Sequence, residues 1–412
     1  MGSRSCRFCR GAALMFSVLL LGSALPVGAV EPPATAHFSY AQVILGGSPS
    51  AGLLLASTAL RVAVDGSGNV FVADPNDSAV KEIPSGCLTS SCVQTLGGGF
   101  SAPFGVAVDG SGNVFVADTS NNAVKEIPPG CTASSCVITL AAAYTSGGGF
   151  SAPSGVAVDG SGNVFVADNG NSAVKEILAA GGYTTVNTLA GGFSYPEDVA
   201  VDGSGNLFVA DTGNHAVEEI VTAGGYTTVN ALASGFNFPR GVAVDGSGNV
   251  FVADDGNNSV EEILAAGGYT MVNTLASGFN QPYGVAVDGS GNIFVADSGN
   301  NRVLELETAG ANFGTVAIGQ TSATISLVFT IDSRGTMGSP VALTQGAAGL
   351  DFAVANTGTC TTGAYNAGDT CTVDVTFTPS VAGLRNGAVL LEDLDGNTIA
   401  TGYVHGIGSG PQ

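Results

Sequence analysis

The chain has 412 residues, of which 45% are hydrophobic and 11% charged, with 62 glycines and no tryptophan. This hydrophobic content excludes a disordered chain in spite of the many glycines, and the length allows two or three domains. The formal net charge of −22 argues against nucleic acids and anionic lipid surfaces as partners, because both carry negative charge themselves.

The first 29 residues have the pattern of an export signal. Arg4, Arg7 and Arg10 precede an apolar run over residues 11–25, and small residues follow up to Ala29. This pattern predicts cleavage after Ala29. The alternative is an uncleaved membrane anchor, but the run is shorter than the roughly 20 residues of a spanning helix. We therefore expect a secreted, cell-surface or periplasmic protein with no membrane contact beyond the signal.

One segment recurs six times after the signal, and residues 155–171 hold the copy GVAVDGSGNVFVADNGN. Successive copies are 43 to 50 residues apart, a period typical of propellers or solenoids. The aspartates that open the first turn of each copy are Asp65, Asp109, Asp159, Asp202, Asp245 and Asp288.

Each copy predicts four short antiparallel strands. In the third copy these are residues 156–158, 164–166, 173–177 and 185–189, rich in Val, Ile, Phe and Thr. The Asp-Gly-Ser-Gly-Asn segment between the first two strands predicts a tight turn. Four strands per repeat correspond to one propeller blade, which must stack on its neighbours. The sequence thus predicts an all-β protein with a six-bladed β-propeller.

The motif Pro-x-Gly-Val-Ala-Val-Asp, then Gly-Asn-x-Phe-Val-Ala-Asp, then x-x-Asn-x-x-Val resembles the NHL repeat. The resemblance covers residues 38–307 and implies a propeller fold. Similar propellers serve as lyases, lactonases, RNA binders and protein-interaction platforms, so the resemblance leaves the activity open. RNA-binding members use a basic face, whereas the six blades here hold few basic residues: Arg61, Lys81, Lys125, Lys175, Arg240 and Arg302.

The two ends of the repeat array predict how it closes. Residues 42–47 resemble the fourth-strand segments of other repeats, whereas the last repeat has only three strands before its pattern ends at residue 306. We therefore expect residues 38–46 to supply the fourth strand of the sixth blade, which removes the open edges of the ring.

Six cysteines follow the signal and fall in three local pairs. Because an even count on an exported chain favours disulfides, we expect three of them, with zinc binding as the less favoured alternative. Cys6 and Cys9 lie within the signal and are assigned no metal or redox role. The expected pairs are Cys87 with Cys92, Cys131 with Cys136, and Cys360 with Cys371.

Residues 311–408 lack the repeat but remain rich in strand-forming residues. Runs at 325–331, 352–355, 371–377 and 387–391 are separated by turn residues, as in an immunoglobulin-like sandwich. Asn-Phe-Gly at 312–314, Gly-Asp-Thr-Cys-Thr-Val at 368–373 and Phe-Thr-Pro at 377–379 resemble a Hydin-type immunoglobulin-like domain. The resemblance implies a role in spacing or adhesion. The expected domains are a signal at 1–29, a propeller at 38–307 and a sandwich at 311–408.

Two sets of repeated aspartates could suggest calcium binding. A calcium site needs six to eight converging oxygens, which one Asp and one Asn per hairpin do not supply. We interpret both sets as turn residues whose carboxylates accept N–H groups of their own turns. No cofactor is predicted, and a divalent cation in the propeller channel is the alternative. The second set is Asp74, Asp118, Asp168, Asp211, Asp254 and Asp297.

The nearly identical repeats differ just before their first strands. We expect these residues to lie on loops between blades, around one mouth of the channel, where aromatic and arginine side chains typically anchor partners. The other interpretation is neutral surface variation. The variable residues are Leu60, Phe104, Ser154, Glu197, Arg240 and Tyr283, and Arg61 and Asp198 replace the glycine that follows in other repeats. The predicted binding mouth comprises Phe104, Glu197, Asp198, Arg240 and Tyr283.

Catalysis has little support in the sequence. Resembling lyases use several histidines on one zinc, or a histidine with acidic partners, but only His215 lies inside the repeats. We predict a monomeric, exported, non-catalytic module that binds a protein, peptide or glycan. The alternatives are a metal-assisted lyase or lactonase, with Glu197, Asp198 and His215 as its candidate groups, and a structural or adhesive surface protein.

Overall fold

The computed structural model describes residues 35–44, 61–87, 90–142, 149–266, 268–307, 310–344 and 347–410. The predicted signal, with Cys6 and Cys9, and Leu60 lie outside these ranges. The described residues are all-β apart from short 3₁₀ turns, and none of their helices has the length and apolar character to cross a membrane. The 3₁₀ turns are Ser90–Cys92, Thr119–Asn121, Ser134–Cys136, Asn169–Asn171, Thr212–Asn214, Asp255–Asn257 and Ser298–Asn300.

Each repeat forms one antiparallel sheet whose strands follow chain order, named here sheets one to six. Sheet one contains β2 Arg61–Val64, β3 Val70–Asp74, β4 Ala79–Ile83 and β5 Gln94–Leu96. Sheet two contains β6 Pro103–Val108, β7 Val114–Asp118, β8 Ala123–Ile127 and β9 Ile138–Leu140. Sheet three contains β10 Pro153–Val158, β11 Val164–Asp168, β12 Ala173–Leu178 and β13 Thr185–Gly191.

The next two sheets repeat the pattern, and sheet six takes its fourth strand from the start of the chain. Sheet four contains β14 Pro196–Val201, β15 Leu207–Asp211, β16 Ala216–Val221 and β17 Thr228–Ala231. Sheet five contains β18 Pro239–Val244, β19 Val250–Asp254, β20 Ser259–Leu264 and β21 Met271–Ser277. Sheet six contains β22 Pro282–Val287, β23 Ile293–Asp297, β24 Arg302–Glu307 and the N-terminal β1 Thr35–Ile44.

The first turn of every repeat has the predicted chemistry. In sheet one, Asp65 Oδ1 accepts hydrogen bonds from the backbone N–H groups of Ser67 and Asn69, and its Oδ2 accepts one from Asn69 Nδ2. The other five repeats have the same three bonds. The interpretation of these aspartates as turn residues is confirmed.

The sheets pack on each other through their apolar faces. The first strand of each sheet contacts the first strands of its neighbours, and β22 also contacts β2. Farther out, a tyrosine between the third and fourth strands lies against a phenylalanine of the preceding sheet. This contact joins Tyr183 to Phe115, Tyr226 to Phe165, and Tyr269 to Phe208.

The three predicted disulfides are present, and two of them occupy that same place between sheets. Cys87–Cys92 and Cys131–Cys136 replace the tyrosine loop in sheets one and two. Cys131 lies in one buried cluster with Phe71 of sheet one, and Cys87 in one with Phe294 of sheet six. Each bridge therefore closes a loop that packs against the preceding sheet. The third bridge, Cys360–Cys371, lies in the C-terminal part.

The N-terminal strand pairs on both of its edges. Residues 41–44 of β1 pair antiparallel with residues 304–307 of β24, as the sequence analysis expects, and residues 45–46 lie outside the described ranges. The opposite edge of β1 pairs with β26, which the sequence does not predict. The resulting seven-stranded sheet, β22-β23-β24-β1-β26-β32-β30, runs from the last repeat into the C-terminal part.

The C-terminal part has two principal sheets with one core between them. The second sheet has the order β25-β34-β33-β28-β29, and a small sheet pairs β27 with β31. Phe313 of one sheet contacts Phe352 and Phe377 of the other, and all three are buried. The strands are β25 Ala311–Ala317, β26 Ile325–Ser333, β27 Gly335–Met337, β28 Val341–Thr344, β29 Ala347–Ala348, β30 Phe352–Ala355, β31 Gly363–Tyr365, β32 Thr370–Phe377, β33 Gly383–Glu392 and β34 Thr398–Ser409.

We expect a chain that begins at residue 47 to melt roughly 5 °C below a chain that begins at residue 30, by circular dichroism. Loss of β1 exposes the edges of both β24 and β26, and each kcal/mol lost lowers the melting temperature of a protein this large by roughly 1–2 °C. The chain from residue 30 is the matched control. Equal melting temperatures would show that β1 does not stabilise the fold.

Candidate functional site

Apart from Leu60, which lies outside the described ranges, the variable residues lie at the start of the first strands and not on loops, which corrects the sequence expectation. In β6, Pro103 pairs with Asp118 and Gly105 with Ala117, so Phe104 is left without a partner across the ladder. The same irregularity occurs in β14, β18 and β22. A bulge of this kind turns the side chain of its extra residue out of the regular alternation. Glu197, Arg240 and Tyr283 each occupy this bulge position.

Arg61 and Asp198 form a pair between two sheets that are distant in the chain. Arg61 is the first residue of β2 in sheet one, and Asp198 is the third residue of β14 in sheet four. Arg61 Nε lies 3.4 Å from Asp198 Oδ1, and the two residues are only 3% and 6% exposed. Asp198 Oδ2 accepts the backbone N–H of Val242 from sheet five. The predicted mouth residue Asp198 is therefore a buried partner of Arg61 and not an exposed contact.

Glycines at the equivalent position of other sheets make room for this pair. A Cβ added at Gly155 would lie 2.3 Å from Asp198 Oδ1, and one at Gly105 would lie 2.4 Å from the carbonyl oxygen of Ser154. The first strands thus approach too closely for side chains at these two points. A buried charged pair, Arg61 and Asp198, therefore lies where these first strands approach each other.

Glu197, Arg240 and Tyr283 form a second layer beside this pair, with one residue from each of three sheets. The Tyr283 hydroxyl donates to Glu197 Oε2 at 3.0 Å and accepts from Arg240 Nη1 at 3.1 Å. Arg240 Nε donates to Asp255 Oδ2 at 2.7 Å. The guanidinium carbons of Arg61 and Arg240 lie 5.1 and 4.7 Å from the centre of the Tyr283 ring. Four of the five predicted binding residues are therefore brought together.

Backbone carbonyls connect the two layers. Arg61 Nη1 donates to the carbonyl oxygen of Tyr283 at 2.8 Å, and Arg61 Nη2 donates to that of Glu197. Ser154 Oγ donates to the same Glu197 carbonyl at 2.7 Å. Arg61 Nε has no hydrogen-bond partner of good geometry among the described residues, although it is buried. Arg61 and Ser154 are among the variable residues of the sequence, but the predicted mouth does not include them.

Burial determines the electrostatics of this cluster. Desolvation raises the pKa of Asp198 to about 6, although the charge of Arg61 opposes the shift. Desolvation, helped by the negative charge of Glu197, raises the pKa of Tyr283 to about 12, so the phenol keeps its proton. Desolvation would lower the pKa of Arg240, but Tyr283, Asp255 and Glu197 together raise it. Burial thus opposes the ionised forms of both Asp198 and Tyr283.

Two candidate residues lie apart from the cluster. Phe104 occupies the bulge of β6, but within the described part of the chain it has no hydrogen bond, ion pair or ring contact with the four clustered residues. His215 ends a 3₁₀ turn with a φ of 54°, and its Nδ1 accepts the backbone N–H of Phe238. Its ring also packs edge-on against the Phe238 ring, with 4.3 Å between the two ring centres. His215 thus joins two neighbouring loops.

The second set of aspartates binds a partner beyond its own turn. In sheets two to six, Oδ1 accepts the backbone N–H of a residue 17 positions earlier, in the loop that enters the sheet. Oδ2 accepts the side-chain amide of an asparagine three positions later. These carboxylates therefore bond their own turn through the asparagine and also fix the loop that enters the sheet, which the sequence analysis does not predict.

A metal in the channel would need converging ligands. Across the ranges that the structure describes, no three His, Cys, Asp or Glu side chains are grouped so that they could hold a metal ion. In the central cluster, Asp198 is ion-paired with Arg61, and Glu197 accepts hydrogen bonds from Arg240 and Tyr283. These residues do not fit a divalent ion.

The sequence pattern of the NHL repeat matches residues 150–177, 193–218, 236–261 and 279–306. The chain carries NHL repeats. The matches fall in sheets three to six, and the first two repeats lie outside them. No curated protein matches the chain.

Solved structures share the propeller-like arrangement at low identity. A gluconolactonase from Xanthomonas campestris is 14% identical, with 68% of this chain and 97% of that one covered and a TM-score of 0.54. A virginiamycin B lyase from Staphylococcus aureus is 14% identical over 60% and 79% of the chains, with a TM-score of 0.43. A chain of a nidogen/laminin complex is 20% identical over 56% and 87%, with a TM-score of 0.48. At such identities the gluconolactonase indicates a shared fold alone.

We expect Gly155→Ala to lower the free energy of unfolding by roughly 1–3 kcal/mol, the usual cost of overpacking, because the new methyl group overlaps Asp198. Urea denaturation followed by circular dichroism measures this. Gly160→Ala is the matched control, since a Cβ there meets no atom within 4 Å. Equal stabilities of the two variants would contradict the close central packing.

The raised pKa of Asp198 predicts a pH dependence of stability. Between pH 4 and 6 the folded carboxyl keeps a proton that the unfolded chain has lost, so this residue makes stability fall as the pH rises through that window. The wild-type protein should lose about 2–3 kcal/mol relative to Asp198→Asn between pH 4 and pH 7. Urea titrations at both pH values test this, with Gly160→Ala as a control that retains the carboxyl. Parallel profiles for wild type and Asp198→Asn would refute it.

Proposed function

We propose that the chain is an exported, non-catalytic binding module in which a closed six-bladed propeller carries an immunoglobulin-like sandwich. The contact between β22 and β2 supports closure, and the pairing of β1 with β24 supports a sixth blade completed by the N-terminal strand. Two packed sheets with a shared phenylalanine core support the sandwich. Three disulfides indicate an oxidising compartment, in agreement with export to the periplasm, cell surface or medium.

The proposed binding surface is the layer of Glu197, Arg240 and Tyr283. The observation that carries this proposal is that three residues at variable positions come from three different sheets and are joined by hydrogen bonds of 3.0–3.5 Å. Drifting surface residues would not need to interact with each other. The arrangement holds a carboxyl group, a guanidinium and a phenol in fixed positions before any ligand arrives, which lowers the entropic cost of binding.

The exposed parts of this layer suit a polar ligand. The side chains of Arg240 and Glu197 are 26% and 14% exposed, so both can still contact a partner. Together with the partly buried Tyr283, they present hydrogen-bond donors, acceptors and an aromatic residue within a small area, the combination that peptides and glycans use. A protein, peptide or glycan is therefore the proposed ligand class. Phe104 would extend this surface on the side of sheet two.

An enzymatic role receives less support from the site. Lyases and lactonases are among the structures of similar fold, but a metal-assisted reaction would need a ligand set that Glu197, Asp198 and His215 do not form together. His215 is engaged with Phe238, and Asp198 is paired with Arg61. No catalytic step is derived for these residues.

The binding proposal can be tested with arrays of immobilised glycans and peptides. For any probe that the wild-type protein binds, the triple variant Phe104→Ala, Arg240→Ala, Tyr283→Ala should lose at least tenfold in affinity, because each truncated anchor costs more than about 1 kcal/mol. Surface plasmon resonance measures the affinity.

The matched control is Tyr403→Ala with Leu384→Ala, which removes two side chains that are 66% and 58% exposed on the C-terminal part. Its affinity should stay within twofold of wild type. Tyr283→Phe should give a smaller loss than the triple variant, since it keeps the ring and removes only the hydroxyl. An unchanged affinity in a folded triple variant would place the binding surface elsewhere.

A further inference from the structure

Most of the buried aspartates of the second set form an ion pair with a basic side chain of their own sheet. Lys81, Lys125 and Lys175 place their Nζ atoms 2.5–2.6 Å from Oδ2 of Asp74, Asp118 and Asp168. In sheet six, Arg302 Nε lies 2.6 Å from Asp297 Oδ2. Each lysine lies seven residues after its aspartate. A buried carboxylate is costly without such a partner, so the repeat has a built-in position for a positive charge.

Sheets four and five replace this lysine by glutamate. Glu218 and Glu261 stand seven residues after Asp211 and Asp254. These two aspartates are 1% and 0% exposed, and neither forms an ion pair with a basic side chain in the described ranges. The exchange removes a positive charge and adds a negative one beside a buried carboxylate.

In sheet five a cavity of about 450 Å³ lies at this point, and Asp254, Glu261 and Phe236 line it. Glu261 is 8% exposed, and its Oε1 accepts from Ser259 Oγ at 2.7 Å. Its Oε2 has no hydrogen-bond partner among the described residues. Asp254 accepts from the backbone N–H of Asn237 and from Asn257 Nδ2, which also donates to the carbonyl oxygen of Gly235 at 3.1 Å. Asn171 makes the same two bonds beside Lys175 in sheet three, so sheet five differs in the missing ammonium group.

The sheets that retain lysine show what else contacts an ammonium group there. Lys175 Nζ donates to the carbonyl oxygen of Gly149 at 3.1 Å and lies 5.5 Å from the centre of the Phe150 ring. Lys125 makes the same contacts with Gly99 and Phe100. The corresponding Gly235 and Phe236 of sheet five both line the cavity. A carboxylate, a carbonyl and an aromatic face are thus preserved where the lysine is absent.

We propose that the sheet-five cavity binds a primary alkylammonium group, such as the lysine side chain of a peptide, at the position of the missing lysine. The cation would lie between Asp254 and Glu261, with the Phe236 ring as a cation–π contact. The cavity is larger than a bare metal ion requires, and two carboxylates with one carbonyl fall short of a calcium shell. Desolvation and the nearby charge of Glu261 raise the pKa of Asp254, which agrees with a missing positive charge.

Of the two sheets in which glutamate replaces the lysine, sheet five has the more favourable site for a cation. Glu218 in sheet four is only partly buried, whereas Glu261 is almost fully buried. This site shares no residue with the proposed mouth, so the two proposals succeed or fail independently.

Titration of the full mature chain with n-butylammonium chloride, followed by isothermal calorimetry at constant ionic strength, tests the proposal. The wild-type protein should bind saturably, and Glu261→Lys should bind at least tenfold more weakly, because its own ammonium group fills the cavity. Glu261→Lys should also melt at a higher temperature than wild type. Glu262→Lys makes the same charge change at the adjacent residue, which does not line the cavity, and should bind within twofold of wild type.

Two further variants keep the test decisive. Glu261→Gln preserves the shape of the side chain but removes its charge, so it should also weaken binding. This variant replaces Glu261→Lys as the test if Glu261→Lys does not fold. Lys175→Glu recreates the sheet-five arrangement in sheet three and should raise the stoichiometry by one. Absence of saturable binding to wild type, or equal binding by Glu261→Lys, would overturn the proposal. Binding of calcium chloride that depends on Glu261, without binding of n-butylammonium, would overturn the alkylammonium assignment.

Discussion

The structure depends on the fact that each repeat sheet is apolar on both faces. The second strand of every sheet, Val-Phe-Val-Ala-Asp or a close variant, is buried at all five positions. A sheet of four short strands cannot cover both faces by itself, so every sheet needs a neighbour on each side. The first and last sheets meet this need through the contact between β2 and β22. The outer strands of sheet six, β24 and β1, are covered in another way.

The C-terminal part covers these outer strands. Sheet six lacks a loop between a third and a fourth strand of its own, because its fourth strand comes from the N-terminus. Val328 of β26 lies in the same buried cluster as Phe251 of sheet five and Leu306 of sheet six. Because β1 pairs with both β24 and β26, the backbone ladder continues without a break. The C-terminal part is thereby attached through hydrogen bonds and core contacts and not through a linker alone.

Much of this architecture could be predicted from the sequence, because repetition makes weak signals reinforce each other. The strands, the turn aspartates, the disulfide pairs and the N-terminal strand of sheet six all follow from local patterns. The second pairing of β1 could not be predicted, since nothing in residues 35–44 distinguishes a strand with one partner from a strand with two. The variable residues were recognised, but their position at bulges, and the burial of Asp198, depend on the distance between strands from different repeats. Only the packing of the sheets determines that distance, so the predicted exposed mouth includes Asp198, which is buried beside Arg61.

Differences between equivalent positions carry more information in this chain than the residues that stay the same. The shared residues build the frame, and an exchange within that frame shows what a position requires, since the other sheets serve as internal references. Arg61 and Asp198 replace glycines on opposite sheets and compensate each other's charge. Glu261 replaces a lysine without any such compensation in its own sheet. A buried pair of like charges is unfavourable unless a cation joins it. The retained phenylalanine and glycine beside it match the surroundings of the lysines in sheets two and three, so the exchange has removed the cation while leaving its surroundings in place.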